Sequence, residues 1–245
     1  VSTVHDVARA LRLAAAEHGG RPLREARRYS VAIRDRVRAE RETYSQHGED
    51  RHIAELLKGR DLSSAIYIDV GANHPTLISN TYLLYRRGVR GIVVEPNVDL
   101  VRLHRLVRPD DVQVAVGCGE RAELGRLAVM SAGVLSTFAA NAQHTSTVQR
   151  YDYVPILPLD AVVDGAALPH RWICLLSIDT EGFDLEVLKG ARRTLAKTYV
   201  ICVETNTDAE RDAVSQLLAS AGFEEESRAD CNTFYVNRTL RIEAA

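Results

Sequence analysis

Five carboxylates in this 245-residue chain stand at the ends of short apolar runs: Asp69 in Ile66-Tyr67-Ile68-Asp69-Val70, Glu95 after Ile92-Val93-Val94, Asp179 and Glu181 after Leu175-Leu176-Ser177-Ile178, and Glu204 after Val200-Ile201-Cys202-Val203. Runs of this kind read as buried strands, and open parallel sheets place their ligands at the carboxyl ends of their strands. The first acid precedes a turn, Gly71-Ala72-Asn73-His74-Pro75. An acid before a single turn glycine suits a ligand with an amino-acid end. Asp69 can meet an ammonium directly or through water, and the turn amides can approach a carboxylate. Glu95, ending the second strand, can accept both hydroxyls of a ribose. S-adenosylmethionine presents this combination of groups. The turn lacks the G-x-G-x-x-G spacing that admits a dinucleotide pyrophosphate, and no Gly-Lys-Ser/Thr follows any strand, which argues against NAD, FAD and P-loop chemistry. The competing local reading makes Asp69 a helix cap and Glu95 a solvated strand-end acid. The two acids together, in this order of elements, favour the cofactor.

Asp179, Glu181 and Glu204 leave the middle of the expected sheet, where neighbouring strand ends meet. Methyl transfer is an in-line displacement, and an alcohol acceptor is a weak nucleophile that needs a base, a metal ion or both. We expect Asp179 and Glu204 to hold a divalent ion with Asn206 as a third oxygen ligand, and an all-oxygen set suits Mg or Mn. Without the ion, Asp179 or Glu181 is the base and a histidine assists. His74 on the cofactor turn is the first candidate, and His144 is read as part of an acceptor lid. The plainer alternatives are that Glu181 stabilises the next helix N-terminus, that Asn206 shapes a turn and that His74 supports its loop.

These residues need a particular succession of elements. A strand at 66–70, a helix over the periodic stretch Leu77 to Arg87 and a strand at 91–95 form the opening unit of a nucleotide-binding α/β sheet. A helix follows from Val98 to Leu106, then a strand from Val112 to Val116. Trp172 to Ile178 and Tyr199 to Val203 are further parallel strands. Thr207 and Glu210 have capping-box spacing for the helix after Glu204, and Phe223 to Ser227 with Thr233 to Val236 form a closing hairpin at the sheet edge. The expected fold is thus α/β and Rossmann-like: a mostly parallel seven-stranded sheet with an antiparallel edge strand and an N-terminal helical arm. We divide the chain into an arm, 1–64, and a domain, 65–245, with a rim insertion at 118–165.

Composition narrows the function. The formal net charge is -2, so no global positive field advertises a nucleic-acid partner. Residues 21–41 hold the one basic concentration, eight arginines against Glu25, Asp35 and Glu40. We read it as a solvated helix face or a homo-oligomer contact before an anion or nucleic-acid site. No apolar stretch approaches a membrane span, and the N-terminus has no secretion-signal core. Cys118, Cys174, Cys202 and Cys231 match no metal or disulfide framework, which points to reduced thiols and a cytoplasmic location.

The chain resembles the FkbM family of S-adenosylmethionine-dependent methyltransferases, which have the class I methyltransferase fold. The resembling pieces are Tyr44-Ser45-Gln46-His47-Gly48-Glu49-Asp50, Tyr67 to Pro75, Ser79-Asn80-Thr81, Gly91 to Asn97, and Ser177 to Gly190. Together they cover most of residues 44–204. The resemblance implies methyl transfer to oxygen, commonly on a sugar hydroxyl of a glycoside, polysaccharide precursor or natural product. It puts Asp69, Gly71 and Asn73 at the cofactor's amino-acid end, and Glu95 with Pro96 at its ribose. It makes the element holding Tyr44 and Gln46 a cover over the cofactor, and maps an Asp-x-Glu-Gly motif onto Asp179, Glu181 and Gly182, with Asp179 near both cofactor and acceptor. N-methylation of a natural product and methylation of nucleic acid remain the alternatives.

Overall fold

Every residue of Ala65–Val70 is buried, and so is every residue of Trp172–Ile178. A strand covered on both faces belongs in the interior of a parallel sheet with helices on each side. The structure, a computed structural model, describes residues 30–36, 41–130, 138 and 148–242. In chain order the elements are α1 (Glu49–Leu56), β1 (Ala65–Val70), α2 (Tyr82–Arg86), β2 (Arg90–Val94), α3 (Val98–Val107), β3 (Val112–Val114), β4 (Gly117–Cys118), β5 (Glu123–Met130), β6 (Val148–Leu157), α4 (Leu159–Ala166), β7 (Trp172–Ile178), α5 (Asp184–Lys189), α6 (Arg192–Leu195), β8 (Thr198–Glu204), α7 (Asp208–Ser220), β9 (Phe223–Ala229) and β10 (Asn232–Asn237).

The main sheet runs β3-β2-β1-β7-β8-β10-β9. The first five of these strands are parallel. The β9–β10 hairpin closes the edge, and its second strand is the antiparallel one, inserted between β8 and β9. Side-chain alternation divides the core. Ile66, Ile68, Val70 and Ile92 join the α5, α6 and α7 side, while Tyr67, Val93, Cys174 and Cys202 join the α1 and α2 side. All four cysteines are free thiols, three of them buried.

Local signals decide several boundaries. Thr207 Oγ1 accepts from the Glu210 N–H at 3.2 Å, and Glu210 Oε2 accepts from the Thr207 N–H at 3.1 Å, so α7 starts with the full capping box. The helix expected from Leu77 begins only at Tyr82. Asn73 and Ile78 adopt positive φ, and residues 71–81 form an irregular loop held by contacts from far along the chain. The expected helix after Asp179 is two short pieces, α5 and α6. Residues 148–153, within the expected rim insertion, belong to β6, which pairs with β5 and β4 in a small rim sheet. Their outward pair Tyr151 and Tyr153 is exposed, and the flanking residues are polar, so the strand alternation is masked.

Residues 1–29 of the expected helical arm and His144 lie outside the described residues. Residues 30–36 are helical, with Ala32 and Ile33 buried. Asp35 is buried here as well. It accepts from Arg41 at 2.7 Å and from Thr76 at 3.3 Å, and its carbonyl accepts from Arg86 at 3.0 Å. This part of the arm is therefore pinned against the β1–α2 loop. No described helix is long and apolar enough to cross a membrane.

Candidate active site

The sheet order reverses between β1 and β7, and the two strand ends meet there backbone to backbone. The Asp179 N–H donates to the Val70 carbonyl at 3.0 Å. Gly71 has φ +76°, and a Cβ placed on it would stand 1.8 Å from the Asp179 carbonyl oxygen. Only glycine lets the turn bend here while lying against β7. The Gly71 N–H is donated to the Val94 carbonyl at 3.0 Å, which ties the turn to β2 as well.

A cleft of about 570 Å³, counting its open mouth, lies across this junction. Gly71, Asn73, Glu95, Pro96, Asp179 and Glu181 form its polar side, and Val94, Leu100, Val116, Phe138 and Phe183 its apolar side. Glu95 is buried and both its oxygens accept backbone N–H groups, Oε2 from Asn73 at 2.9 Å and Oε1 from Asn97 at 2.7 Å. Asn97 in turn accepts from the Asp99 N–H at 3.1 Å and starts α3. Burial pushes the Glu95 carboxyl up to about 7, against those two amides. A carboxyl raised in the folded state stabilises the fold below its unfolded value, and that contribution disappears as pH rises through about 7. Relative to Glu95→Gln, the wild-type protein should therefore lose on the order of 2 kcal/mol of unfolding free energy between pH 5 and pH 8. Urea titrations at both pH values would show it; parallel behaviour of the two proteins would exclude it.

Asp69 does not line the cleft. Its Oδ2 accepts from the Thr81 hydroxyl and lies 3.9 Å from Arg108 Nη1. Burial raises its carboxyl, while Arg108 and Thr81 oppose the shift. Tyr44 is buried with its ring edge-on to Tyr82 at 4.8 Å, and Gln46 is exposed; neither lines the cleft. His74 is buried beside the turn, and its Nδ1 accepts from the Thr76 N–H at 3.2 Å and the Leu77 N–H at 3.1 Å. It braces the loop and is not part of the cleft lining.

Asp179, Glu181 and Glu204 come together at the ends of β7 and β8. One oxygen from each lies within 4.8 Å of the others, a spacing that fits a shared cation. Burial is the first cause that raises the Asp179 carboxyl well above the ordinary range, and Glu204, Asp184 and Glu181 add to it. Glu181 rises to about 7 through burial and then through Glu204 and Asp184. Among the described residues, no Lys or Arg forms an ion pair with Asp179, Asp184 or Glu204, and the buried Glu204 Oε2 accepts no hydrogen bond. Such a cluster can hold a proton or a divalent ion. Asn206 sits in the capping turn of α7, exposed, with its N–H donated to Glu210 at 3.0 Å.

Some contributors had no clear signal in sequence. Asp184 accepts from the Thr180 N–H at 3.1 Å and the Gly182 N–H at 3.3 Å, which shapes the acidic turn. An acid in the first turn of a helix was the available hint. Phe138 and Phe183 stand with ring centroids 6.0 Å apart beside the cleft, a contact that joins the rim sheet to α5. The Tyr44–Asp50 element is folded by its own acids. Asp50 accepts from Thr43 Oγ1 at 2.6 Å, the Tyr44 N–H at 2.7 Å and Ser45 Oγ at 2.9 Å. Glu49 accepts from the His47 N–H at 2.7 Å and from Asn232 Nδ2 at 3.2 Å. Asn232 pairs with Glu204 across β10 and β8, so this element ends beside the carboxylates.

A seven-stranded sheet in this order, with a cleft at its switch point and acids on the strand ends around it, has the architecture of the class I methyltransferases. Residues 69–225 match the methyltransferase FkbM domain, and the chain belongs to that family of enzymes. Solved structures similar to it include two methyltransferases. Methyltransferase FkbM from Methylobacillus flagellatus KT shares 17% identity at a TM-score of 0.46, over 71% of this chain and 43% of that one. A TehB-like SAM-dependent methyltransferase from Corynebacterium glutamicum shares 11% identity at 0.40, over 89% of this chain and 100% of that one. The chain thus spans less than half of the Methylobacillus protein. No curated protein sequence matches it.

Proposed function

We propose that this methyltransferase uses S-adenosylmethionine to methylate a hydroxyl on the sugar moiety of a small-molecule acceptor. The observation that carries the reading is the cleft itself, with a doubly amide-anchored Glu95 at one end and a carboxylate cluster at the other. The residues fit the cofactor. Gly71 and Asn73 line the cleft at the β1 turn and would receive the amino-acid end. Each Glu95 oxygen keeps a lone pair for a ribose hydroxyl beside Pro96. Val94, Leu100 and Val116 offer the apolar wall that a nucleobase needs.

When bound, the cofactor supplies an electrophilic methyl on a sulfonium sulfur. The chain supplies orientation and the base. Asp179 lines the cleft, and its raised proton affinity suits it to take the acceptor hydroxyl's proton. Glu204 and Glu181 sustain that affinity by repulsion. The same three oxygens, with Asn206 nearby in the chain, would hold Mg or Mn, which lowers the pKa of a bound hydroxyl. Phe138 and Phe183 shield the junction from water.

Calorimetric titration with S-adenosylhomocysteine tests the first premise. One-to-one micromolar binding is expected, weakened about tenfold or more by Glu95→Ala through lost polar contacts. No binding up to millimolar concentration in a folded sample, with and without Mg, would remove the cofactor assignment. Labelled-methyl transfer to glycosides, amine natural products and nucleic acid then assigns the acceptor, and retention of label on nucleic acid alone would overturn the sugar reading.

A further inference from the structure

The loop between the cofactor turn and α2 is held more tightly than its irregular shape suggests, and it displays two apolar side chains. Arg108, fully buried at the end of α3, donates Nε to the Pro75 carbonyl at 2.9 Å, Nη2 to Ser79 Oγ at 2.6 Å and Nη1 to Thr81 Oγ1 at 2.8 Å. It therefore fastens both ends of the stretch 75–79. From the other side the Ser79 N–H donates to the Tyr44 carbonyl at 3.1 Å. Asn80 Nδ2 donates to Ser177 Oγ at 3.3 Å and lies 3.7 Å from Cys202 Sγ. Ser177 and Cys202 stand two residues before Asp179 and Glu204 on their strands, on the same faces. Asn80 consequently ties the loop to β7 and β8 two residues short of the carboxylate cluster.

Ile78 sits at the crest of this loop with φ +54° and 52% of its surface exposed, and Leu77 beside it is 37% exposed. A β-branched residue at positive φ is a backbone outlier, and strained positions held by their surroundings concentrate at binding sites. Among the described residues, the Ile78 side chain stands largely in solvent. Glu181 and Glu204 disfavour an anionic occupant, and the exposed aliphatic side chains of Leu77 and Ile78 fit an uncharged apolar group.

We propose that Leu77 and Ile78 form an apolar lip of the acceptor site, held out by Arg108, and that the acceptor is a glycoside with an apolar aglycone. Arg108 acts here as a positioning residue. The inference rests on the methyltransfer reading above and adds the part of the acceptor that is recognised. The test uses paired n-octyl and methyl hexosides across several sugars, with labelled-methyl transfer as the readout. Wild-type protein should show a KM for the octyl member about tenfold or more below that for the methyl member, the gain from burying a few methylenes. Ile78→Gly should bring the two KM values to within about twofold while S-adenosylhomocysteine affinity stays unchanged. Its thermal midpoint should not fall, because glycine accepts this φ. Equal KM values in the wild-type protein, an undiminished preference in Ile78→Gly, or no turnover of any glycoside by a protein that binds S-adenosylhomocysteine would each overturn the lip. Failure to bind S-adenosylhomocysteine at all would bring down the cofactor reading beneath it, so the two failures are told apart.

Discussion

Replacing Asp179 with asparagine is expected to lower methyl transfer by about 10²–10⁴-fold, the range for loss of a positioned general base, and at the same time to stabilise the fold. The two effects have one cause. Asp179 is crowded by Glu204, Asp184 and Glu181, and its charged form is disfavoured by burial and by all three. Asparagine has nearly the same shape without the charge. The thermal midpoint should rise by about 2–4 °C, the shift that ~1 kcal/mol produces in a chain of this size. The sign depends on pH. At acidic pH Asp179 is protonated in the folded protein and the two proteins should agree. The gap opens as pH rises and the wild-type group is forced towards ionisation. Mg or Mn should raise the wild-type midpoint more than that of the variant, since the variant offers one fewer anionic ligand. Affinity for S-adenosylhomocysteine should hold within a few-fold. An active Asp179→Asn protein would take this carboxylate out of the chemistry, and an inactive one of lower stability would point to a structural role.

Gly71→Ala should be the most damaging glycine-to-alanine change among the described residues. The substitution carries two costs: about 1–2 kcal/mol for an L side chain in the left-handed region and about 1–3 kcal/mol for overpacking. The clash is with the Asp179 carbonyl oxygen, 1.8 Å from the added carbon, and backbone inside a sheet cannot rotate away as a flexible side chain would. Relief requires the ends of β1 and β7 to separate, which would also displace Asp179. Gly88→Ala separates the two costs, because Gly88 has φ +92° and open space where its Cβ would go. Urea unfolding of both variants should show Gly71→Ala losing roughly 2–5 kcal/mol and Gly88→Ala only the conformational part. Equal losses would mean that the β1–β7 junction yields, and the rigid contact inferred for it would be wrong.

The sequence by itself determined the strands that carry the site. β1, β2, β7 and β8 are buried on both faces over nearly all of their length, so each appears as a mostly apolar run with an acid at or just beyond its end. The capping box of α7 was equally legible, since it joins Thr207 and Glu210 within one helical turn. Interactions of that range are written in adjacent residues and need no knowledge of the fold.

Tertiary structure decided what the acids do. In the chain Asp69 and Glu95 look alike, each at a strand end. In the fold one carboxylate meets Thr81 and Arg108 while the other lines the cleft. No local pattern assigns Arg108 to Asp69, because the pairing depends on the α3–β3 connection passing under the β1–α2 loop. The late start of α2 has the same origin. Its periodic residues permit a helix from Leu77, but hydrogen bonds with Arg108, the Tyr44 carbonyl and His74 Nδ1 satisfy the loop's backbone and hydroxyl groups instead. The meeting of Asp179 with Glu204 follows from β7 and β8 being neighbours, a fact of sheet order. Residue type and periodicity are properties of the chain, whereas the partner of a buried charge is a property of how the chain closes on itself.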